Sequence, residues 1–396
     1  MVILYGVNVC GSASMMDYAN SKRKLASVVP MVHMQKVFDI VENDSFIPSE
    51  IIIANKETST VVKVRHNEKS PISLIIEPES RLLLSYANQA LEFDINMVNP
   101  PAVLSEHICG QNIMIRDLLS VVGCDRLRVL PFDGCWNWNT SSPCKFCNLH
   151  PQGNHGVRPN LNSLPEHSDY SKWWEAHSKQ YLSNLSNAFK RVLEVKDSAL
   201  QPHCHLVIMA GGFPDLEYLW RILIQTVEAL RTVSSFENLD SHLNAPPHFN
   251  INQLQCIKDM GIEKIQYNIE VYGKDTYEAV CPGKIPYETL MEKLIEAVEV
   301  FGKGNVRSNF VLGLQPLDTL EEGFHALAEL GVVSDYSVFQ PKRGTAFEQR
   351  EGYSLYEIKK VTDLLIEVYK KHDFTPIYCS MSSRSSIINE VLYEYA

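Results

Sequence analysis

The sequence predicts an α/β protein: a partial (βα)6 TIM-like barrel behind a small β-rich N-terminal module. Three observations carry this. From about Asp125 onward, short apolar strands alternate with amphipathic helices, the pattern of a parallel sheet covered by helices. Six such units fit into about 250 residues, too few for a closed eight-stranded barrel and suited to a partial one. Before them, residues 1–115 read instead as short β-rich runs between polar turns.

In the first part the runs are Ile51–Ile53, Val61–Val64, Ile72–Ile76 and Leu82–Ser85, with turns such as Asn67–Pro71 between them. They make residues 1–115 a β-rich or α+β module. Asn99-Pro100-Pro101 marks a linker, because consecutive prolines disfavour both helix and central strand. The barrel is expected over residues 116–375 and a C-terminal tail over 376–396.

Within the barrel, strands are expected at Leu127–Phe132, Leu206–Met209, Lys264–Ile269, Val306–Leu312 and Val332–Phe339, with a weaker one somewhere in 235–248. Trp174, Tyr181, Leu185, Ala188 and Val192 mark a helix with Ser171 as its cap. Tyr287, Leu290, Leu294, Val298 and Phe301 mark another, stopped by Gly302. Leu355, Ile358, Val361, Leu365 and Val368 fall on one face of a third, over 355–371. The long polar segment 148–170 has the length of a functional loop.

Composition narrows the function. A chain of 396 residues, 45% hydrophobic and 21% charged, is globular and neither disordered nor fibrous. Its net charge of -11 sets it against nucleic acid and anionic membrane surfaces. No apolar run approaches a membrane span, and MVILYGVNVC lacks a basic n-region and cleavage site, so a cytoplasmic protein is expected. In that reducing compartment, ten cysteines point to packing, metal or catalysis instead of disulfides.

Three of them cluster. Cys135, Cys144 and Cys147 follow the first barrel strand with the spacing C-x8-C-x2-C. Three thiolates can hold three irons of a [4Fe–4S] cluster and leave the fourth open to another ligand. The position suits this, since catalytic groups of parallel barrels gather at the carboxyl ends of the strands. A tetrahedral structural zinc on the same cysteines and His150 is the alternative. The other seven cysteines read as small core residues, Cys281 and Cys379 being the two able to reach a cleft.

At these residues the chain resembles the radical S-adenosylmethionine (SAM) superfamily, whose usual motif is C-x3-C-x2-C with an aromatic residue before the last cysteine. Phe146 holds that aromatic position; the first spacing departs from the family's. Ala210-Gly211-Gly212-Phe213-Pro214 resembles the glycine-rich motif that binds the methionine amino group of SAM, with Phe213 where a glutamate is usual. Tyr267-Asn268-Ile269-Glu270 resembles the strand offering polar groups to the SAM ribose, with Asn268 and Glu270 sharing a face by the two-residue period of a strand. The 306–314 segment resembles the element near the adenine, and Phe339-Gln340-Pro341 its backbone contacts.

The resemblance implies a [4Fe–4S] cluster on Cys135, Cys144 and Cys147. It implies SAM on Gly211, Gly212, Asn268, Glu270 and Gly313, with Arg307 pairing the SAM carboxylate. Reductive cleavage would then give methionine and a 5′-deoxyadenosyl radical for hydrogen abstraction from a small molecule or peptide. The electron would come from a donor such as a flavodoxin or ferredoxin. Lys284 and the Lys342-Arg343 pair are candidates to clamp an acidic substrate, Trp136 and Trp138 to shield the cluster or line the pocket, and His150 and His155 to donate protons. Neither a second cluster nor a cobalamin motif is visible. Transfer of another fragment of SAM, or a zinc-stabilised binding protein, are the competing functions.

Overall fold

The computed structural model describes residues 8–11, 50–54, 59–64, 70–76, 82–98, 101–108, 110–149, 157–164, 169–195, 204–342, 344–376 and 386–394. Asn67 to Lys69, Asn99, Pro100, His150, His155, Arg343 and Cys379, each singled out in the sequence, lie outside these residues.

The described N-terminal residues form one sheet. Its strands are β1 (Asn8–Gly11), β2 (Glu50–Ala54), β3 (Ser59–Lys63), β4 (Ile72–Ile76), β5 (Leu82–Tyr86), β6 (Gln89–Ala90) and β7 (Asp94–Met97). They lie in the order β1-β4-β5-β7-β2-β3, with β6 on β5. All pairings are antiparallel except β1 with β4. Alternate residues such as Ile72 and Leu74, or Leu82 and Leu84, are buried, the two-residue period of a half-covered sheet.

The second sheet opens with β8 (Leu119–Val122), which pairs antiparallel with β9 (Arg126–Val129). The next strands are β10 (His205–Met209), β11 (Asp240–Asn244), β12 (Lys264–Gln266), β13 (Val306–Leu312) and β14 (Val332–Val338). From β9 to β14 every neighbour is parallel and the spatial order is the chain order. The intervening helices are α1 (Tyr170–Glu194), α2 (Leu216–Arg231), α3 (Ile251–Asp259), α4 (Lys274–Val280), α5 (Tyr287–Phe301) and α6 (Leu317–Glu329). After β14 come α7 (Leu355–His372) and α8 (Ile388–Glu394). This is the expected partial (βα)6 barrel.

Within the barrel three boundaries differ from expectation by more than one residue, each for a local reason. The first barrel strand ends at Val129, not Phe132, because Pro131 has no N–H to give the ladder. The cap of α1 is Asp169, whose side chain accepts from the Lys172 N–H at 3.3 Å; Ser171 lies inside the helix and bonds Glu175 instead. The fourth strand stops at Gln266 because the chain swings out of the ladder and rejoins it only at a single bridge between Glu270 and Phe310.

The two faces of this sheet differ sharply. Leu127, Leu206, Ile208, Leu243, Ile265, Val306 and Phe310 are fully buried on the outer face; Phe310 meets Phe324 of α6 with ring centroids 4.8 Å apart. The opposite, inward face carries polar side chains in lateral contact. His205 Nδ1 lies 3.0 Å from Asp240, which also pairs with Lys264; His242 Nε2 lies 2.8 Å from Gln266, and Ser337 donates to Asn309 at 3.2 Å. The barrel is therefore cemented by apolar packing outside and lined by polar groups within.

Candidate active site

The three motif cysteines lie past the carboxyl ends of the barrel strands and are tied to several of them. Asp133, two residues before Cys135, exchanges backbone hydrogen bonds with the 159–161 segment and pairs with Arg158 at 3.2 Å. Cys135 is followed by a single 3-10 turn, Trp136–Trp138, in which both tryptophans are half-buried. The Lys145 N–H donates to the Val280 carbonyl at 2.9 Å, and the Phe347 N–H to the Lys145 carbonyl at 3.0 Å. The Cys144–Cys147 turn is thus held between the end of α4 and the chain after β14.

The glycines after β10 close the other side. Gly212 N–H donates to Cys135 Sγ at 3.2 Å, and the Trp136 N–H returns a bond to the Gly212 carbonyl at 2.8 Å. A Cβ on Gly211 would come within 2.6 Å of the Gly134 carbonyl oxygen, and one on Gly212 within 2.7 Å of Asn137 Oδ1. Only glycines allow the strand-one and strand-two loops to touch here. Phe213, in the place of the usual glutamate, turns away into an aromatic cluster with Phe132, Tyr170, Trp173 and Tyr218.

Beneath the cysteines sits an ion pair that the sequence did not announce as a pair. Lys284 Nζ lies 2.7 Å from Glu270 Oε1 and 2.9 Å from the Asn268 carbonyl oxygen. Burial works against the charge of Lys284, but the Glu270 carboxylate outweighs it and holds its pKa above the usual lysine range. Glu270 has φ of 65°, a left-handed conformation uncommon for a non-glycine residue and associated with functional sites. Asn268 and Glu270, expected to share a strand face, lie beyond the end of β12 and instead converge on Lys284. Lys284, expected as a candidate to clamp an acidic substrate, is instead engaged by Glu270 and the Asn268 carbonyl. Asn268 Oδ1 is itself engaged by Gln266 at 2.6 Å and by the Asn309 N–H at 3.3 Å.

Arg307 requires correction. It is the second residue of β13, at the strand's amino end, and its guanidinium donates to the Thr375 carbonyl at 3.0 Å. Strand direction places it at the end opposite the cysteines, which removes it from a SAM carboxylate there. Gly313 is at the expected end, directly after β13, with φ of 98°; a Cβ would come 3.0 Å from the Tyr353 nitrogen. Cys124, in the turn before β9, lies at the far end as well.

The residues fit an iron–sulfur cluster in two respects. Backbone N–H groups reach two of the sulfurs, Gly212 to Cys135 and Leu149 to Cys147 at 3.4 Å, the donors that stabilise a ligated thiolate. Cys144 lies near enough to Cys135 and Cys147 to help hold both thiols in the neutral form. Among the described residues no three cysteine, histidine or acidic side chains converge on a single-ion site; a multi-iron cluster, whose ligands bind separate irons, does not ask them to. Without a metal the thiols are protonated: burial raises Cys135 and carries Cys147 up to about 11. Contact with the Cys281 thiol, with burial, pushes Cys144 far higher. Cys281, fully buried, is therefore part of the site's wall.

No family model matches the sequence. Among curated proteins the chain is 27% identical over 254 residues to the bacteriochlorophyllide c C-7(1)-hydroxylase of Chlorobaculum limnaeum. That match takes in 60% of this chain and 59% of the relative, so the chain spans less than two thirds of the relative's length. Among solved structures it is similar to the FeFe-hydrogenase maturase HydG of Carboxydothermus hydrogenoformans, with a TM-score of 0.41 and 13% identity over 63% of this chain and 52% of that one. It is also similar to coproporphyrinogen III oxidase (HemN) of Escherichia coli, described as a radical SAM enzyme, with a TM-score of 0.41 and 13% identity over 64% and 53% of the two chains.

Proposed function

We propose that the chain is a radical SAM enzyme: it binds a [4Fe–4S] cluster through Cys135, Cys144 and Cys147, and SAM beside it, and acts on a small molecule by hydrogen abstraction. The observation that carries this reading is the join between Cys135 and Gly212. It brings the cysteine loop after the first strand against the glycine loop after the second, where the cluster and the methionine end of SAM would meet. When bound, the cluster would supply one electron to the sulfonium, splitting SAM reductively to methionine and a 5′-deoxyadenosyl radical.

The chain's own groups then have definable tasks. Gly211 and Gly212 let the two loops approach and expose backbone polar groups to the SAM amino end. Glu270 and Asn268 offer the ribose oxygen atoms that Lys284 holds in place. Gly313 lets the 352–353 backbone pack against the end of β13, beside which the adenine would lie. Trp136, Trp138 and Phe146 keep bulk water from the cysteines. The relative that hydroxylates a bacteriochlorophyllide favours a small molecule over a peptide as substrate. An oxygen-labile cluster calls for a reducing compartment such as the cytoplasm and for a donor such as a flavodoxin or ferredoxin; among the described residues no helix is long and apolar enough to cross a membrane.

Anaerobic reconstitution with iron and sulfide tests the reading. A brown protein that releases 5′-deoxyadenosine on reduction with SAM supports it. Methylthioadenosine as the product would indicate transfer of another SAM fragment, and a colourless protein holding one zinc would remove the enzyme reading.

A further inference from the structure

A line of hydrogen-bonded side chains crosses the inner face of the barrel, from His242 on β11 through Gln266 on β12 to Asn268, and one backbone N–H fixes its direction. Where β12 stops at Gln266, Asn309 of β13 loses the ladder partner that a continuing strand would give its N–H. That N–H donates instead to Asn268 Oδ1 at 3.3 Å, and the Ile269 N–H turns in the same way to Ser308 Oγ at 2.9 Å. A backbone N–H can only donate, so the atom of the Asn268 carboxamide that faces it is the oxygen.

This orientation passes down the line. Asn268 Oδ1 also meets Gln266 at 2.6 Å, and since an amide oxygen only accepts, the Gln266 atom there is Nε2. Gln266 Oε1 then faces His242, whose Nε2 lies 2.8 Å away and carries the hydrogen. His242 is buried and held neutral by that burial, so its single ring hydrogen sits on Nε2. At the other end a donor is left over. With Oδ1 accepting twice, Asn268 turns Nδ2 away from Gln266 and Asn309, and Nδ2 has no hydrogen-bond partner among the described residues. Asn268 is only half-buried, so this group stays open to a ligand. Glu270, two residues on, can only accept, and Lys284 ties it to the Asn268 backbone carbonyl. A donor and an acceptor held together in this way suit neighbouring hydroxyls: the oxygen of one accepts from Nδ2 while the other donates to the carboxylate.

We propose that His242 and Gln266 are positioning residues that lock Asn268 as a hydrogen-bond donor, its Nδ2 meeting a hydroxyl oxygen of the nucleoside bound beside the cysteines. That the nucleoside belongs to SAM rests on the radical SAM reading; the direction of the relay does not.

The tautomer and the donor are tested separately. Nitrogen-15 NMR of the full-length protein labelled at histidine, before cluster reconstitution, reads the His242 ring, assigned by the signals lost in His242→Gln. The hydrogen should be on Nε2; a hydrogen on Nδ1 overturns the relay. Equilibrium dialysis of SAM against the reconstituted protein reads the donor. Gln266→Leu breaks the relay and Asn268→Asp puts an acceptor where the donor stands, so each should weaken SAM at least ~10-fold. The SAM analogue lacking both ribose hydroxyls should bind the wild-type protein and both variants alike. Unchanged SAM affinity in both variants overturns the donor role, and so does an equal loss of SAM and of the analogue, which marks general damage to the site. A wild-type protein that binds no SAM ends the radical SAM reading, and the nucleoside contact with it, whatever the tautomer.

Discussion

Lys284 Nζ stands 2.7 Å from Glu270 Oε1, both side chains mostly enclosed, directly below the motif cysteines. Breaking a buried ion pair by removing one partner leaves the other charge unpaired, which costs about 3–5 kcal/mol, whereas removing both costs less. Glu270→Gln and Lys284→Met should therefore each destabilise the protein by about 3 kcal/mol, and the double variant by less than the sum. Denaturant unfolding of the three variants checks this; additive losses would show that the pair is not coupled.

The two glycines after β10 should not be equally tolerant. An alanine Cβ at Gly211 strikes the backbone oxygen of Gly134, which can move only by shifting the Cys135 loop, while at Gly212 it meets the end of the Asn137 side chain. Overpacking of this kind typically costs 1–3 kcal/mol, so we expect roughly that for Gly211→Ala and less for Gly212→Ala. Gly211→Ala should also retain less iron after reconstitution, read by iron analysis of both variants.

His242 predicts a pH dependence. Burial, then the charge of Arg307, lowers its pKa from 6.5 to about 3 in the folded protein. Between those values the unfolded chain binds the extra proton, so stability is complete above pH 6.5 and falls as pH drops through the window toward 3. A single such proton contributes about 1.4 kcal/mol per pH unit. His242→Gln should make unfolding free energy less steep between neutrality and pH 4 by about that amount; an unchanged slope would mean that another group governs it.

The cysteines differ in what their loss should do. Alanine at Cys135, Cys144 or Cys147 should each abolish iron retention, while Cys256→Ala, on α3 and outside the site, should leave it nearly unchanged. Cys124 sits in the turn before β9, at the wrong end of the strand. Iron loss in Cys124→Ala with retention in Cys135→Ala would displace the first ligand.

Much of the scaffold was legible because its rules are local. Val306–Leu312 and Tyr287–Phe301 match expectation residue for residue, the one a strand, the other a helix that ends at Gly302, whose φ is 88°. The cysteine motif and the glycines behind it were legible as well, since each lies directly after a strand. What failed depended on three dimensions. The two-residue period placed Asn268 and Glu270 on one strand face, but the left-handed Glu270 ends that regularity and the two meet through Lys284 instead. Arg307 was assigned a role by resemblance, though its place second in the strand already put it at the amino end. The alternation R-L-R-V over 126–129, polar on every second residue, was a local sign of a charged interior.

The central claim is that three cysteines hold a cluster whose remaining iron is left for SAM. Mössbauer spectra of the protein reconstituted with 57Fe, recorded before and after adding SAM, test it most directly. We predict the spectrum of a [4Fe–4S] cluster in which one iron of the four changes its isomer shift when SAM is added, while the other three do not. A cluster spectrum indifferent to SAM, or a protein that takes up no iron in this form, would contradict the account.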